Sequence, residues 1–587
     1  MSENPRSHAP ADEYPPISPT APLPLPFVDR TDDFEGDTSV YPARTRREQR
    51  MCALLNAVRD KPFWARKWRT AEIRAKLAAE IKEQAANAEW IVPVVASLNN
   101  EDDEDDADIG RILRGAMPDA DLDYVLQELD WQAEHLPTIA GTDGVFALDD
   151  AVPDDLRALL VAQVFDLLEN VPDHYKDWHP RSNNQVLDLV HPSLYPLVYG
   201  RTRVLDQPTT SVDDWCKYIS GGTPTQPPTG APDQSRFLSQ QFQWLPSEFA
   251  VDKDGKVAIT SYVNNLHPER HAALYPTLAR VFECALPLLE QVLGRLVSWT
   301  PLRIDPTPWN WYDRYDPTAT DQKYTSLNDW YQKRIPNLPD PPREYAVARN
   351  VFTPYPLRGR TLKVITKLAS IHLTPADPTY SGGSWHIEGM LNESIVATAL
   401  YYWDVDNITD SRLEFRTGVK PPEYEQSDDR GIAFGYALYR DKPLVQPWGH
   451  VTARQGRMVA FPNMFQHHVA PFELADKTCG GCRKIVAFFV VDPSSTEGGK
   501  VVSTAQVPPQ QAEWIADAWA KEGRFPLAVD KELPRELIEK VVAEVDSAMS
   551  LDEAKKVRLA LMDERSVAVE TVEELVFKGA VYNLCEH

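Results

Sequence analysis

Residues 381–403, Ser381 to Trp403, read SGGSWHIEGMLNESIVATALYYW. A glycine pair leads into His386-Ile387-Glu388, and a β-branched and aromatic run follows. On a strand, side chains alternate, so His386 and Glu388 would share one face while Ile387 points into a hydrophobic layer. An imidazole and a carboxylate side by side are either a local ion pair or two ligands of one ion. What the rest of the chain can bring to that face decides between them.

The flanks set the fold class. From Ala346 to Pro493, strand-like runs dominate: TLKVITKLASIHL, SIVATALYYWDV, RLEFRT, RMVAFP, HVAPFEL and RKIVAFFVV, separated by turn residues and without a long helical period. Such a succession is expected to form a small barrel or jelly roll. Helical spacing lies on both sides of it. It begins at Arg47 and breaks at Pro62, returns in DDLRALLVAQVFDLLENV (154–171), and follows a strand and turn within 256–297. QQAEWIADAWAKEG, ELPRELIEKVVAEVDSAM and SLDEAKKVRLALMDER continue it near the C-terminus. The expected α+β organisation is a Pro-rich extended or disordered arm over 1–45 and a mainly helical region over 46–345. A jelly-roll (double-stranded β-helix) core over 346–495 and a smaller helical region over 496–587 complete it. No internal repeat is visible.

With 587 residues, 43 % of them hydrophobic, and 16 Trp, the chain has material for several units with large cores. Its 61 basic and 87 acidic residues leave a net charge of −26, which argues against nucleic acid or an anionic membrane as the main partner. No apolar run reaches the roughly 18 residues of a membrane span. The N-terminus lacks a signal pattern and VYNLCEH is no retention or peroxisomal address, so a soluble, cytoplasmic protein is expected. Of six cysteines only Cys479 and Cys482 are close, and no second CxxC completes a zinc site. Free thiols are expected there, with a redox pair as the other reading. EDDEDDAD (101–108) lacks the Gly and final Glu of a calcium loop and reads as a solvated loop.

A third ligand should come from a distant strand, and His450, His467 and His468 are the downstream candidates. Two His and one carboxylate on one face of an ion leave three positions open, the facial triad of non-haem Fe(II) oxygenases. Two of those positions suit a 2-oxo acid and the last suits dioxygen. A cation is then needed for the far carboxylate of 2-oxoglutarate, and the planar fork of Arg matches it. Arg483 opens the run after the distal His, with Lys484 facing the other way; Arg454 and Lys367 are weaker candidates.

A second HxE, His267-Pro268-Glu269, fits a helix start. His267 and His271 stand i, i+4 and could bind zinc, but a zincin has Glu directly after its first His, where this chain has Pro268. Tyr262, Asn264, His372, Trp385, Tyr402, Asp188 and His191 read as pocket-lining or purely structural residues.

The order HxE, distal His, then Arg on the next strand resembles the Fe(II)/2-oxoglutarate-dependent dioxygenases, most of which carry HxD. More closely, NNQVLDLVHPSLYPLVYGRT, SYVNNLHP, VITKLASIHLTP, GGSWHIEGMLNESIVATALYYWD, QHHVAPFEL, VVDP followed by VPPQQ, and NLCEH resemble the large fungal family called domain of unknown function 4246. These landmarks run from about residue 183 to the end. That family's QHRVSPF segment matches Gln466-His467-His468-Val469, which implies His467 as the ligand. Its glycine-x-arginine step matches Gly481-Cys482-Arg483, although Cys482 stands where histidine is common. The resemblance implies Fe(II) held by His386, Glu388 and His467, with 2-oxoglutarate anchored by Arg483. It further implies oxidation of a C–H bond, by default to an alcohol, in a small-molecule or peptide substrate using molecular oxygen. A catalytically inactive binding protein on the same fold and a zinc-dependent hydrolase are the alternatives. The sequence does not speak to oligomeric state.

Overall fold

Strands with two apolar faces must be covered on both sides, and the long runs between 360 and 491 are of that kind. The structure, a computed structural model, describes residues 17–18, 20–21, 23–29, 41–86, 117–219, 221–230, 234–298, 301–306, 324–327, 329–330, 339–349, 351–423, 429–496, 501–522 and 534–582. The acidic run at 101–108, much of the 1–45 arm and the terminal NLCEH lie outside the described residues.

The main helices are α1 (Arg46–Arg59), α2 (Asp119–His135), α3 (Asp154–Val164), α4 (Leu274–Val297), α5 (Ala512–Glu522), α6 (Arg535–Val542) and α7 (Leu551–Val572). The Thr45 hydroxyl caps α1 by accepting from the Glu48 N–H, and the helix ends before Pro62 as its sequence requires. The strands used below are β1 (Phe146–Leu148), β2 (Val186–Val190), β3 (Ser247–Val251), β4 (Val257–Ile259), β5 (Arg360–Leu373), β6 (Ile395–Asp406), β7 (Arg412–Lys420), β8 (Val445–Thr452), β9 (Met458–Pro462), β10 (Gln466–Val469) and β11 (Gly481–Val491).

The fold is α+β with two substantial antiparallel sheets that remain separate. The larger runs β1-β9-β6-β11-β5-β3-β4, with β2 also paired to β5. In the smaller, β7 lies between β8 and β10, and Tyr41–Pro42 adds a short parallel pair to β7. Alternation sorts the large sheet into two layers. Val486, Phe488 and Val490 of β11 face outward onto α4, where Phe249, Phe282 and Phe488 form an edge-to-face aromatic cluster with centroids 5.0–6.2 Å apart. Ala487 and Phe489 face inward with Ile365, Leu400 and Tyr402, against Leu413 and Phe415 of the small sheet. That inner layer positions the site.

The α4 helix lies close to the chain before β5. A Cβ at Gly294 would stand 2.4 Å from the Thr353 carbonyl oxygen, so only glycine permits the approach. Strand β8 is absent from the sequence reading because Pro447-Trp448-Gly449 carries turn chemistry. The structure absorbs it with a register shift at Phe415/Arg416 in the paired β7, and Gly449 adopts φ +126°.

A buried charge network ties the N-terminal helices to this core. Arg303 donates to Glu128 (2.7 and 2.8 Å) and to Asp143 (2.8 and 3.0 Å), and Arg44 and Arg59 also reach Asp143. The Arg44 guanidinium lies 3.4 Å above the Trp448 ring of β8, whose indole N–H donates to the Asp143 carbonyl oxygen. Removing one partner of a buried network strands the others. Asp143→Ala is therefore expected to cost about 3–5 kcal/mol, read as a lower urea midpoint with unchanged slope.

Candidate functional site

The His386–Glu388 segment is not the expected strand. Glycines on either side, Gly382 (φ +91°) and Gly389 (φ +70°), turn the chain, and only a single bridge pairs it. That bridge has two backbone hydrogen bonds, His386 N–H to the His467 carbonyl (3.1 Å) and His467 N–H to the His386 carbonyl (3.0 Å). A Cβ at Gly382 would stand 2.8 Å from the Val469 carbonyl, so the glycine lets this segment lie along β10. Asn463, fully buried, grips the other side. Its Oδ1 accepts from the Glu388 N–H (2.8 Å), and its Nδ2 donates to the Glu388 and Ile395 carbonyls (3.0 Å each).

These contacts gather three donors. His467 Nε2 lies 3.4 Å and His386 Nε2 3.8 Å from Glu388 Oε1, and the two imidazole centroids are 4.4 Å apart. His386 Nδ1 lies 2.8 Å from the Ser384 carbonyl oxygen, which can only accept, so the network assigns the proton to Nδ1 and leaves the Nε2 lone pair for a ligand. Burial first, then the neighbouring His467, pushes the His386 pKa down to about 4, against the pull of Glu388. Burial opposes the Glu388 charge, but His467 and His386 outweigh it and bring the carboxyl down to about 2. A neutral imidazole beside an ionised carboxylate is the state a metal requires.

Strand pairing separates the two adjacent histidines. His467 is buried against Phe461 (4.8 Å between centroids), whereas His468 faces Glu414 (3.1 Å) and stacks on Trp385 (4.0 Å). His450 lies beside Asn56, and Arg454 donates to the Asp60 carbonyl, so neither joins the cluster. Both His267 and His271 accept backbone N–H groups at Nδ1 in the turn before α4, and among the described residues no third donor completes a metal site with them. Asn264 donates to the Leu194 and Tyr195 carbonyls and anchors a loop. Burial and the nearby Asp404 push the Cys482 thiol up to about 12, the opposite of a redox-active thiolate.

Arg483 stands near the start of β11, 3 % exposed, on the face that carries Ala487 and Phe489 into the inner layer. Its Nη2 donates to the Tyr402 hydroxyl (3.3 Å), its guanidinium lies 5.0 Å from the Tyr402 ring centroid, and among the described residues no protein group accepts from Nε or Nη1. The adjacent Lys484 points the other way and pairs with Glu169 (2.8 Å). Tyr380 also lies near the Arg483 charge. An unpaired guanidinium away from water is energetically expensive.

Sequence reasoning misses Asn463 and His179, which joins the already noted Asp188 and His191 in a second His/carboxylate/His group. His179 Nδ1 bonds Asp188 Oδ2 (2.8 Å), and Arg558 approaches the same oxygen (3.6 Å). His191 Nδ1 accepts the Ser193 N–H, so the network assigns the proton of the neutral ring to Nε2, away from the tautomer that a metal on that nitrogen needs. Lys367 and Arg558 add positive charge around His191. This group is a hydrogen-bonded anchor for β2.

A model of the family described as "Protein of unknown function (DUF4246)" matches residues 119–518. No curated protein matches the chain. Among solved structures, an Fe(II)/(alpha)ketoglutarate-dependent dioxygenase, TqaL, aligns at 11 % identity over 45 % of this chain and 70 % of its own, with a TM-score of 0.20. A bsmA homolog from Methylobium petroleophilum PM1 aligns at 7 % identity over 59 % and 88 %, TM-score 0.22. An IDO from Bacillus thuringiensis aligns at 10 % identity over 22 % and 46 %, TM-score 0.13. Likeness at these scores carries nothing over to the chemistry of this chain.

Replacing an unpaired buried cation by a hydrophobic side chain should stabilise the ligand-free protein. Arg483→Met is expected to raise its unfolding free energy by about 1–4 kcal/mol, measured in urea without metal or 2-oxo acid. A loss of stability would mean that the guanidinium is already satisfied.

Proposed function

The chain belongs to the DUF4246 family, and we propose that it is an Fe(II)- and 2-oxoglutarate-dependent dioxygenase that hydroxylates a C–H bond of its substrate. The observation that carries the reading is the pairing, on one inner layer, of a His/Glu/His cluster with a buried guanidinium that has no acid partner. The donor set fits the metal: two imidazoles and one carboxylate, with donor atoms within 4.8 Å of one another, leave one side of an ion open. The orphaned Nε and Nη1 of Arg483 fit the far carboxylate of the co-substrate.

In this reading His386, Glu388 and His467 hold Fe(II). When bound, Fe(II) with 2-oxoglutarate and dioxygen supplies the oxidising power, releasing succinate and carbon dioxide and putting one oxygen atom into the substrate. The chain's own residues bind, orient and exclude water. Arg483 takes the distal carboxylate, and the Tyr402 hydroxyl holds the guanidinium in place. The Ser384 carbonyl fixes the His386 ring, Asn463 fixes the Glu388 backbone, and Phe461 packs against His467. No general base is assigned, because the co-substrate supplies the reactive species.

We infer further that the two sheets are the halves of a double-stranded β-helix within the 346–495 core, with the flanking regions as wrapping. The inward face shared by β11, β6 and β7 supports this. Five described cysteines with no disulfide fit a reducing compartment such as the cytoplasm, and among the described residues no helix is long and apolar enough to cross a membrane. A zinc hydrolase would leave the buried Arg483 without a purpose.

Anaerobic addition of Fe(II) and 2-oxoglutarate should produce the weak visible charge-transfer band of the chelate, absent in His386→Ala. Arg483→Met should keep metal binding and weaken 2-oxoglutarate by about 30-fold or more, as expected when about 2 kcal/mol or more of a buried charge contact is lost. Folded parent protein without a band would sink the assignment.

A further inference from the structure

A pocket of about 640 Å³, mouth included, opens beside the His386–Met390 segment. His386 and Glu388 line it, and neither Arg483 nor Tyr402 does. Its walls come from segments far apart in sequence. Arg565, Ala568, Val569 and Val572 of α7 supply one wall, spaced i, i+3, i+4, i+7 on a single helix face. Phe27, Phe237 and Trp244 stand around the remainder.

The polar groups of this pocket are occupied. Glu393 is completely buried and takes Arg565 through both oxygens (2.6 and 3.1 Å), together with the Trp244 and Met390 N–H groups (2.7 Å each). The Gln466 amide accepts from Arg416 (2.7 Å) and donates to Glu573 (2.8 Å). Arg236, at the rim, pairs with Asp29 (3.1 Å). Among the described residues, the Nε–H of Arg565 finds no protein acceptor, but that atom is buried away from the cavity surface. A carboxylate entering this space would find Arg565 already paired with Glu393 and Arg236 with Asp29, and an ammonium would meet Arg565 and Arg236. A hydrocarbon body loses nothing polar on entry and covers apolar wall.

We propose that this pocket, given the metal reading on which the proposal rests, holds the substrate, an uncharged and mainly hydrocarbon small molecule. The C–H bond to be oxidised then lies at the end of the molecule nearest His386 and Glu388, and charged metabolites are excluded.

The full chain is titrated with N-phenyl-1-naphthylamine, a neutral apolar fluorophore, and with its anionic relative 1-anilinonaphthalene-8-sulfonate. Ala568 and Val569 are half-buried, so Ala568→Trp and Val569→Asp alter the pocket wall without entering the core; Val567→Asp, at an exposed position on the same helix, is the control. Saturable binding of the neutral probe is expected, weakened about tenfold or more by both pocket variants, which is about 1.4 kcal/mol, and unchanged by the control. Co(II) should quench the bound probe in the parent but not in His467→Ala. Pocket variants that stay folded by circular dichroism yet bind the neutral probe like the parent would overturn the proposal. So would tighter binding of the anionic probe at the same site, or Co(II) that binds without quenching. Intact probe binding with no Co(II) absorption would instead remove the metal reading and leave the pocket standing.

Discussion

Two backbone hydrogen bonds, exchanged between His386 and His467, hold the candidate site together. They join the irregular chain ahead of β6, which belongs to the large sheet, to β10, which belongs to the small one. Residues directly opposite in a bridge bring their side chains close on the same face. Both imidazoles therefore meet Glu388 as a result of main-chain pairing, and metal attraction is not needed to assemble them. Asn463 and the glycines at 382 and 389 exist in this geometry to make room for that pairing.

The long strands were legible because their periodicity is carried by many residues at once; β5, β6 and β11 lie where their apolar runs predict them. Alternation also placed Arg483 and Lys484 on opposite faces, which their contacts bear out. The strand expected at 386–388 failed for a local reason: two glycines at positive φ and the grip of Asn463 override the propensity of a short segment. The short strand β1 owes its form to β9, some three hundred residues later in the chain, so its three residues give no warning of it. Choosing His467 over His468 needed a family resemblance, because adjacent identical side chains are equivalent until pairing assigns each a face. Asn463 carried no signal beyond standing in a turn after a strand.

The site stores an imbalance. The Arg303 network shows how this molecule satisfies a buried guanidinium when stability alone is at issue: Glu128 and Asp143 surround it. Arg483 receives only a phenol. Of these two buried cations one has carboxylate partners, and the other has none among the described residues.

The pocket walls have a consequence for substitution. His386, Glu388, His467 and Arg483 all fall within the stretch shared with the family, residues 119–518, whereas Phe27 and the α7 residues 565–572 fall outside it. The candidate donors and part of the pocket wall thus belong to different portions of the chain. A substitution at Phe27 or on that face of α7 would therefore reshape the pocket beside His386 and Glu388 while leaving all three donors of the cluster in place.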